Sequence, residues 1–124
     1  MNFVYVGLGG ILGALARYVF AGAVFRFLKL GPPWGTFLVN ITGCLAMGFL
    51  FSMVEWRGLT GPVIRNFLMI GFLGAYTTFS SYILESFVLV DQGKWFLGFT
   101  NLFLSIMLGL LAFVAGMALG KIGT

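Results

Sequence analysis

The stretch GFLGAYTTFSSYILES (71–86) brings Thr77, Thr78, Ser80, Ser81, Tyr82, Glu85 and Ser86 together in an otherwise apolar chain. Hydroxyls at this density can donate hydrogen bonds to an anion, bond back to a carbonyl one turn earlier, or tie one helix to another. Gly71 and Gly74, two weak helix formers, precede the cluster and predict a helix break near Gly74–Thr78. In lipid such a break is tolerated where the freed backbone faces protein, water or an ion. Freed carbonyls would suit a cation, and freed amides an anion.

Beyond the expected break, Thr77, Ser81 and Glu85 are spaced four apart and read as one helical face. Asn101 and Ser105 repeat that spacing further on, and Gly109 extends the stripe without a side chain. Asn40 lies far from any turn. Asn and Glu are costly in hydrocarbon, so they face a bundle interior or a water-filled path. Interhelical hydrogen bonding and a polar track across the membrane both account for them. Arg17, the one positive charge within an apolar run, either snorkels to the interface or attracts an anion at a vestibule. Phe79 sits among the hydroxyls. The edge of an aromatic ring carries partial positive charge, so donors, a ring edge and a nearby Arg suit a small anion better than a cation.

The elements that hold these residues follow from composition. Of 124 residues 60% are hydrophobic and only 8% charged, against about 25% charged in soluble domains. Residues 1–16, 30–54, 66–84 and 95–120 carry no Asp, Glu, Lys or Arg. Each run approaches the roughly 17–25 residues that a spanning helix needs. The prediction is one all-α transmembrane domain over 1–124, with helices at about 2–27, 36–53, 61–90 and 95–119. Gly31-Pro32-Pro33 ends the first helix, Glu55-Trp56-Arg57-Gly58 follows the second, and Asp91-Gln92-Gly93-Lys94 follows the third. Thr36 and Thr60 read as N-caps, and Trp34, Trp56 and Trp95 fall at interfacial depth.

The start MNFVYVGLGG has no basic region before its apolar run, so the first helix is expected to be retained. Cys44 has no partner cysteine, and the absence of histidine excludes haem ligation by axial His and His-based catalysis. A net charge of +4 spread singly over the turns is no nucleic-acid signature. Small residues at Gly9/Gly13, Cys44/Gly48 and Ala112/Gly116/Gly120 are spaced for close helix contact. Arg57, Arg65 and Lys121 balance Arg26, Lys29 and Lys94 on the two sides of the membrane. Without a Lys/Arg excess insertion is undirected, so dual topology is expected.

GALARY (13–18), WGTFLVNITG (34–43) and GFLGAYTTFSSYILE (71–85) together resemble the Fluc/CrcB family of fluoride channels, over essentially the whole chain. The resemblance implies an antiparallel, dual-topology homodimer in the cell inner membrane, with two pores that conduct fluoride passively. By matching positions, Asn40 would be the pore asparagine, Phe79 the first pore phenylalanine, and Ser80 and Ser81 path-lining hydroxyls. Glu85 would be the motif's downstream glutamate and Arg17 the vestibule arginine. Asn101 and Ser105 would form a polar track in the last helix. Gly74 and Thr77 carbonyls would hold a structural Na+ at the dimer interface. Tyr82 departs from the family by replacing its second pore phenylalanine, keeping the ring edge and adding a hydroxyl.

The function expected is export of cytoplasmic fluoride, with no enzymatic chemistry. A small multidrug-type transporter also has four helices, but it needs a carboxylate in its first helix where this chain has Arg17. A membrane-anchor subunit fits the small-residue spacing and leaves the hydroxyl cluster without an account.

Overall fold

The computed structural model describes residues 2–122; Met1, Gly123 and Thr124, included in the single-domain reading, lie outside the described residues. The described chain is all-helical: α1 (Asn2–Leu28), α2 (Trp34–Arg57), α3 (Val63–Leu73), α4 (Gly74–Tyr76), α5 (Phe79–Asp91) and α6 (Trp95–Lys121). α3 is wound as a π-helix and leads directly into α4. Four stretches are long and apolar enough to cross a membrane: α1, α2, Val63–Asp91 and α6. Lipid offers no hydrogen-bond partners, so chains this apolar satisfy their backbone within helices.

The helix ends differ from the sequence expectation where tertiary contacts compete for the capping groups. α2 begins at Trp34, and no side chain caps it. Thr36, expected as its cap, donates instead across the structure to Glu85 Oε1 at 2.7 Å. α2 also continues past Met53 to Arg57, because the first residue suited to a left-handed stop is Gly58, at φ 66°. Gly58 and Leu59 amides then close the end onto the Val54 and Met53 carbonyls, at 3.2 and 3.3 Å. Thr60 is not a cap either, since α3 starts after Pro62 without a side-chain cap bond.

α2 lies along α6, α1 along α3, and α5 against α6. These helices meet backbone to backbone. A Cβ on Gly48 would overlap the Phe113 carbonyl, and one on Gly116 the Leu45 carbonyl. Gly13 is held as closely by the Phe72 carbonyl. The buried cluster is small, formed by Val39, Leu73 and Tyr76 with Ala16, Ala21 and Phe72 packed around it. Tyr76 stacks on Phe72 (6.0 Å between centroids, 11° between planes) and shares a 2.9 Å hydrogen bond with Thr42. Large apolar side chains such as Phe3, Ile11, Phe96 and Leu110 face outward instead, the arrangement of a surface solvated by lipid.

The tryptophans sit at helix ends: Trp34 opens α2, Trp95 opens α6, and Trp56 lies in the last turn of α2. Lys121 stands over the Trp56 ring, 4.0 Å from its centroid, and Arg57 donates to the Ile122 carbonyl at 3.2 Å. These contacts fasten the end of α6 to the end of α2, so the turn after α2 and the end of α6 share one side of the bundle.

Candidate functional site

Between α4 and α5 the chain leaves helical geometry for two residues, with Thr77 at φ −82°, ψ 156° and Thr78 at φ −146°, ψ 123°. The backbone amides of Thr77, Thr78 and Ser81 each keep or find an acceptor. Thr77 N–H still reaches the Leu73 carbonyl at 3.1 Å, and the Thr77 hydroxyl donates to the same oxygen at 3.0 Å. Thr78 N–H, which in a continuous helix would bond the Gly74 carbonyl, donates to Asn40 Oδ1 at 2.8 Å. Asn40 Nδ2 donates back to the Thr78 carbonyl at 3.0 Å. Ser81 N–H is diverted as well, from the Thr77 carbonyl to Thr78 Oγ1 at 3.3 Å, which caps α5. A peptide N–H can only donate and a peptide carbonyl only accept, so the Asn40 amide has one allowed orientation.

Two clefts meet at Thr78. The larger, ≈ 1010 Å³, is lined by Arg17, Thr36, Val39, Thr78, Ser81 and Glu85, among others. The smaller, ≈ 320 Å³, is lined by Asn40, Cys44, Thr77, Thr78, Phe79, Tyr82 and Ser105, with further apolar residues. The reading of Thr77, Ser81 and Glu85 as one helical face is therefore corrected. Thr77 lines the smaller cleft, whereas Ser81 and Glu85 line the larger, because the extended pair resets the helical rotation between them.

In the larger cleft, Glu85 Oε1 accepts from Thr36 while Glu85 Oε2 is buried without a hydrogen-bond partner among the described residues. Arg17 Nε is likewise buried and unpartnered. The lining of this cleft thus includes a guanidinium from α1 and a carboxyl group from α5 with unused hydrogen-bonding capacity.

In the smaller cleft, Phe79 is 74% exposed and its ring lies 5.7 Å from the Tyr82 ring, tilted by 55°. Tyr82 is buried, and its hydroxyl donates to the Leu102 carbonyl on α6 at 2.5 Å. The phenol proton is committed to backbone, leaving the ring to face the cleft. Ser105 donates to Asn101 Oδ1 at 3.3 Å, and Asn101 Nδ2 donates to Ser86 Oγ at 2.8 Å. Asn101 is buried behind Ser105. Gly109 packs beside Cys44, and Ser80 is exposed on the first turn of α5 and belongs to the lining of neither cleft.

Spacing did not assign the parts that three of these hydroxyl residues play. Thr78 joins the clefts and caps α5, Thr36 holds Glu85, and Ser86 holds Asn101. The sequence offered Thr36 as a helix cap and Ser86 as one more hydroxyl of the 71–86 cluster.

The assembled groups are an amide, hydroxyls, two aromatic rings, a guanidinium and a carboxyl group along two clefts that share Thr78. They suit the passage of a small anion. A family model described as CrcB-like protein, Camphor Resistance (CrcB), matches residues 4–117. Relatives named fluoride-specific ion channel FluC align along nearly the full length. The protein of Desulforapulum autotrophicum is 47% identical over 121 residues, covering 98% of this chain and 97% of the relative. That of Nitratidesulfovibrio vulgaris is 41% identical over 121 residues, covering 98% of each chain. That of Magnetococcus marinus is 38% identical over 122 residues, covering 98% of this chain and 99% of the relative.

Proposed function

The chain belongs to the CrcB family, and we propose that it is a fluoride-selective channel through which cytoplasmic fluoride leaves the cell down its electrochemical gradient. It is a multi-pass membrane protein and a channel rather than an enzyme. The observation that carries this reading is the meeting of two donor-lined clefts at the Asn40–Thr78 pair. Fluoride is small and strongly hydrated, so a narrow path must replace its water with donors at each step.

Along that path Arg17 draws the anion into the larger cleft, and Ser81 offers a hydroxyl beside the junction. An amide nitrogen carries two hydrogens and Thr78 takes one, so Asn40 keeps a donor for the ion. The ring edges of Phe79 and Tyr82 follow, and then the Ser105 hydroxyl backed by Asn101. Glu85, held by Thr36, lies at the wall of the vestibule. Phe79 and Ser80 are exposed in the single chain, and a second copy packed over them would close the path.

That second copy is an antiparallel one in our reading. Balanced Lys/Arg on the two sides permits insertion both ways, and a two-fold axis in the membrane plane brings the third spans together at their mid-membrane breaks. The residues there fit a structural Na+. The amides that would occupy the Gly74 and Thr77 carbonyls in a continuous helix are given to Asn40 and to Thr78 Oγ1 instead. Carbonyl oxygens left free in this way are hard ligands for a hard cation. A Na+ bound by Gly74 and Thr77 of both copies would offset the clustered carbonyl dipoles.

The test is efflux from proteoliposomes containing the purified protein, followed with a fluoride electrode and matched against chloride. Rapid fluoride loss with chloride retained supports the assignment. Equal loss of both ions, or no fluoride loss, overturns it.

A further inference from the structure

We propose that Ser86, which lies outside the ion path, sets how tightly that path holds its anion by fixing which way the Asn101 amide faces. The inference rests on the channel reading above and concerns a residue which that reading leaves unused.

Ser86 is 2% exposed and has one hydroxyl proton, which goes to the Tyr82 carbonyl one turn back at 2.8 Å. Its oxygen is therefore left to accept, and it accepts from Asn101 Nδ2 at 2.8 Å. The Asn101 amide is thereby oriented with Oδ1 toward Ser105. An amide oxygen cannot donate, so Ser105 must donate to it, and it does so across 3.3 Å, beyond the usual hydroxyl range. Ser105 is thus a lightly held donor on the wall of the smaller cleft. An arriving anion takes its proton by rotation of the hydroxyl, and the hydroxyl returns to Asn101 when the anion leaves.

The opposite orientation would behave differently. Without the Ser86 oxygen, Ser105 is the remaining side-chain partner of the buried Asn101 amide, and flipping Nδ2 toward it restores an acceptor. Ser105 then accepts from Asn101 and turns its proton permanently toward the cleft, strengthened as a donor by the bond it receives. Binding tightens and release slows, whereas conduction needs sites that let the ion go. Ser86 is not needed merely to join α5 to α6, because the Tyr82 hydroxyl already reaches the Leu102 carbonyl.

The experiment measures initial fluoride efflux from proteoliposomes over a range of fluoride concentrations for wild type, Ser86→Ala, Ser105→Ala and the double variant. Ser86→Ala should lower the half-saturating concentration roughly three- to tenfold, the worth of one hydrogen bond, and lower maximal flux with it. The double variant should match Ser105→Ala alone, and Ser86→Thr, which keeps the hydroxyl, should keep the wild-type half-saturation. Ser86→Cys fills the same space with a weaker acceptor and reports the same shift should the alanine variant fail to fold. An unchanged or raised half-saturation overturns the proposal, as does a Ser86 effect that persists without the Ser105 hydroxyl. A folded wild type that passes no fluoride overturns the channel reading, and this inference falls with it.

Discussion

The side-chain amide of Asn40 and the peptide group of Thr78 bond each other in both directions, at 3.0 and 2.8 Å, across 38 residues of sequence. One side chain on α2 thereby supplies the acceptor that the Gly74 carbonyl of the preceding turn would have offered the Thr78 amide. Asn40 lines the smaller cleft, and its partner Thr78 lines both.

Asn40→Asp should abolish fluoride flux. A carboxylate cannot donate to the Thr78 carbonyl, so that bond is lost and two oxygens are set against each other. It also directs negative charge at an arriving anion. Efflux at the protein-free baseline is expected from a variant that still elutes as a folded species, whereas wild-type efflux would show that the path runs elsewhere.

Phe79→Ile should depress flux strongly while leaving stability of the single chain nearly unchanged. The ring is 74% exposed there, so little intrachain packing is lost with it. What disappears is the electropositive edge, at similar bulk. Parallel thermal unfolding and efflux measurements separate the two effects.

Tyr82→Phe should keep fluoride flux and selectivity. The hydroxyl already donates to the Leu102 carbonyl, so its removal takes no donor from the cleft. The expected cost is in stability, about 0.5–1.5 kcal/mol for one hydrogen bond between helices. Loss of flux in a well-folded variant would assign the hydroxyl a direct part in conduction.

Gln92→Cys in a Cys44→Ser background should be labelled by an impermeant thiol reagent from both faces of the membrane. Gln92 lies in the exposed turn between α5 and α6, and the proposed dual topology, with three basic residues toward each side besides Arg17, puts that turn on both faces. Labelling from one face alone would mean a parallel assembly and remove the basis for a cation shared between the Gly74 and Thr77 carbonyls.

The sequence by itself determined the four spans, because charge-free runs of this length have no way to satisfy their backbone in lipid other than as helices. It also marked the close helix contacts, since glycines such as Gly48 and Gly116 at fourfold spacing admit a neighbouring backbone and little else. Tertiary structure decided the destinations of the polar side chains. Thr36 had the residue type and position of a cap, yet Glu85, 49 residues away, takes its proton. Thr77 and Ser81 had the spacing of one face, yet two extended residues turn them into different clefts. Ser86 was one hydroxyl among several in its cluster until Asn101 of α6 came within 2.8 Å. Helical spacing is a local property and holds only while the helix is unbroken. A buried hydroxyl or amide takes whichever partner the packing brings within reach, and that partner can lie anywhere along the chain.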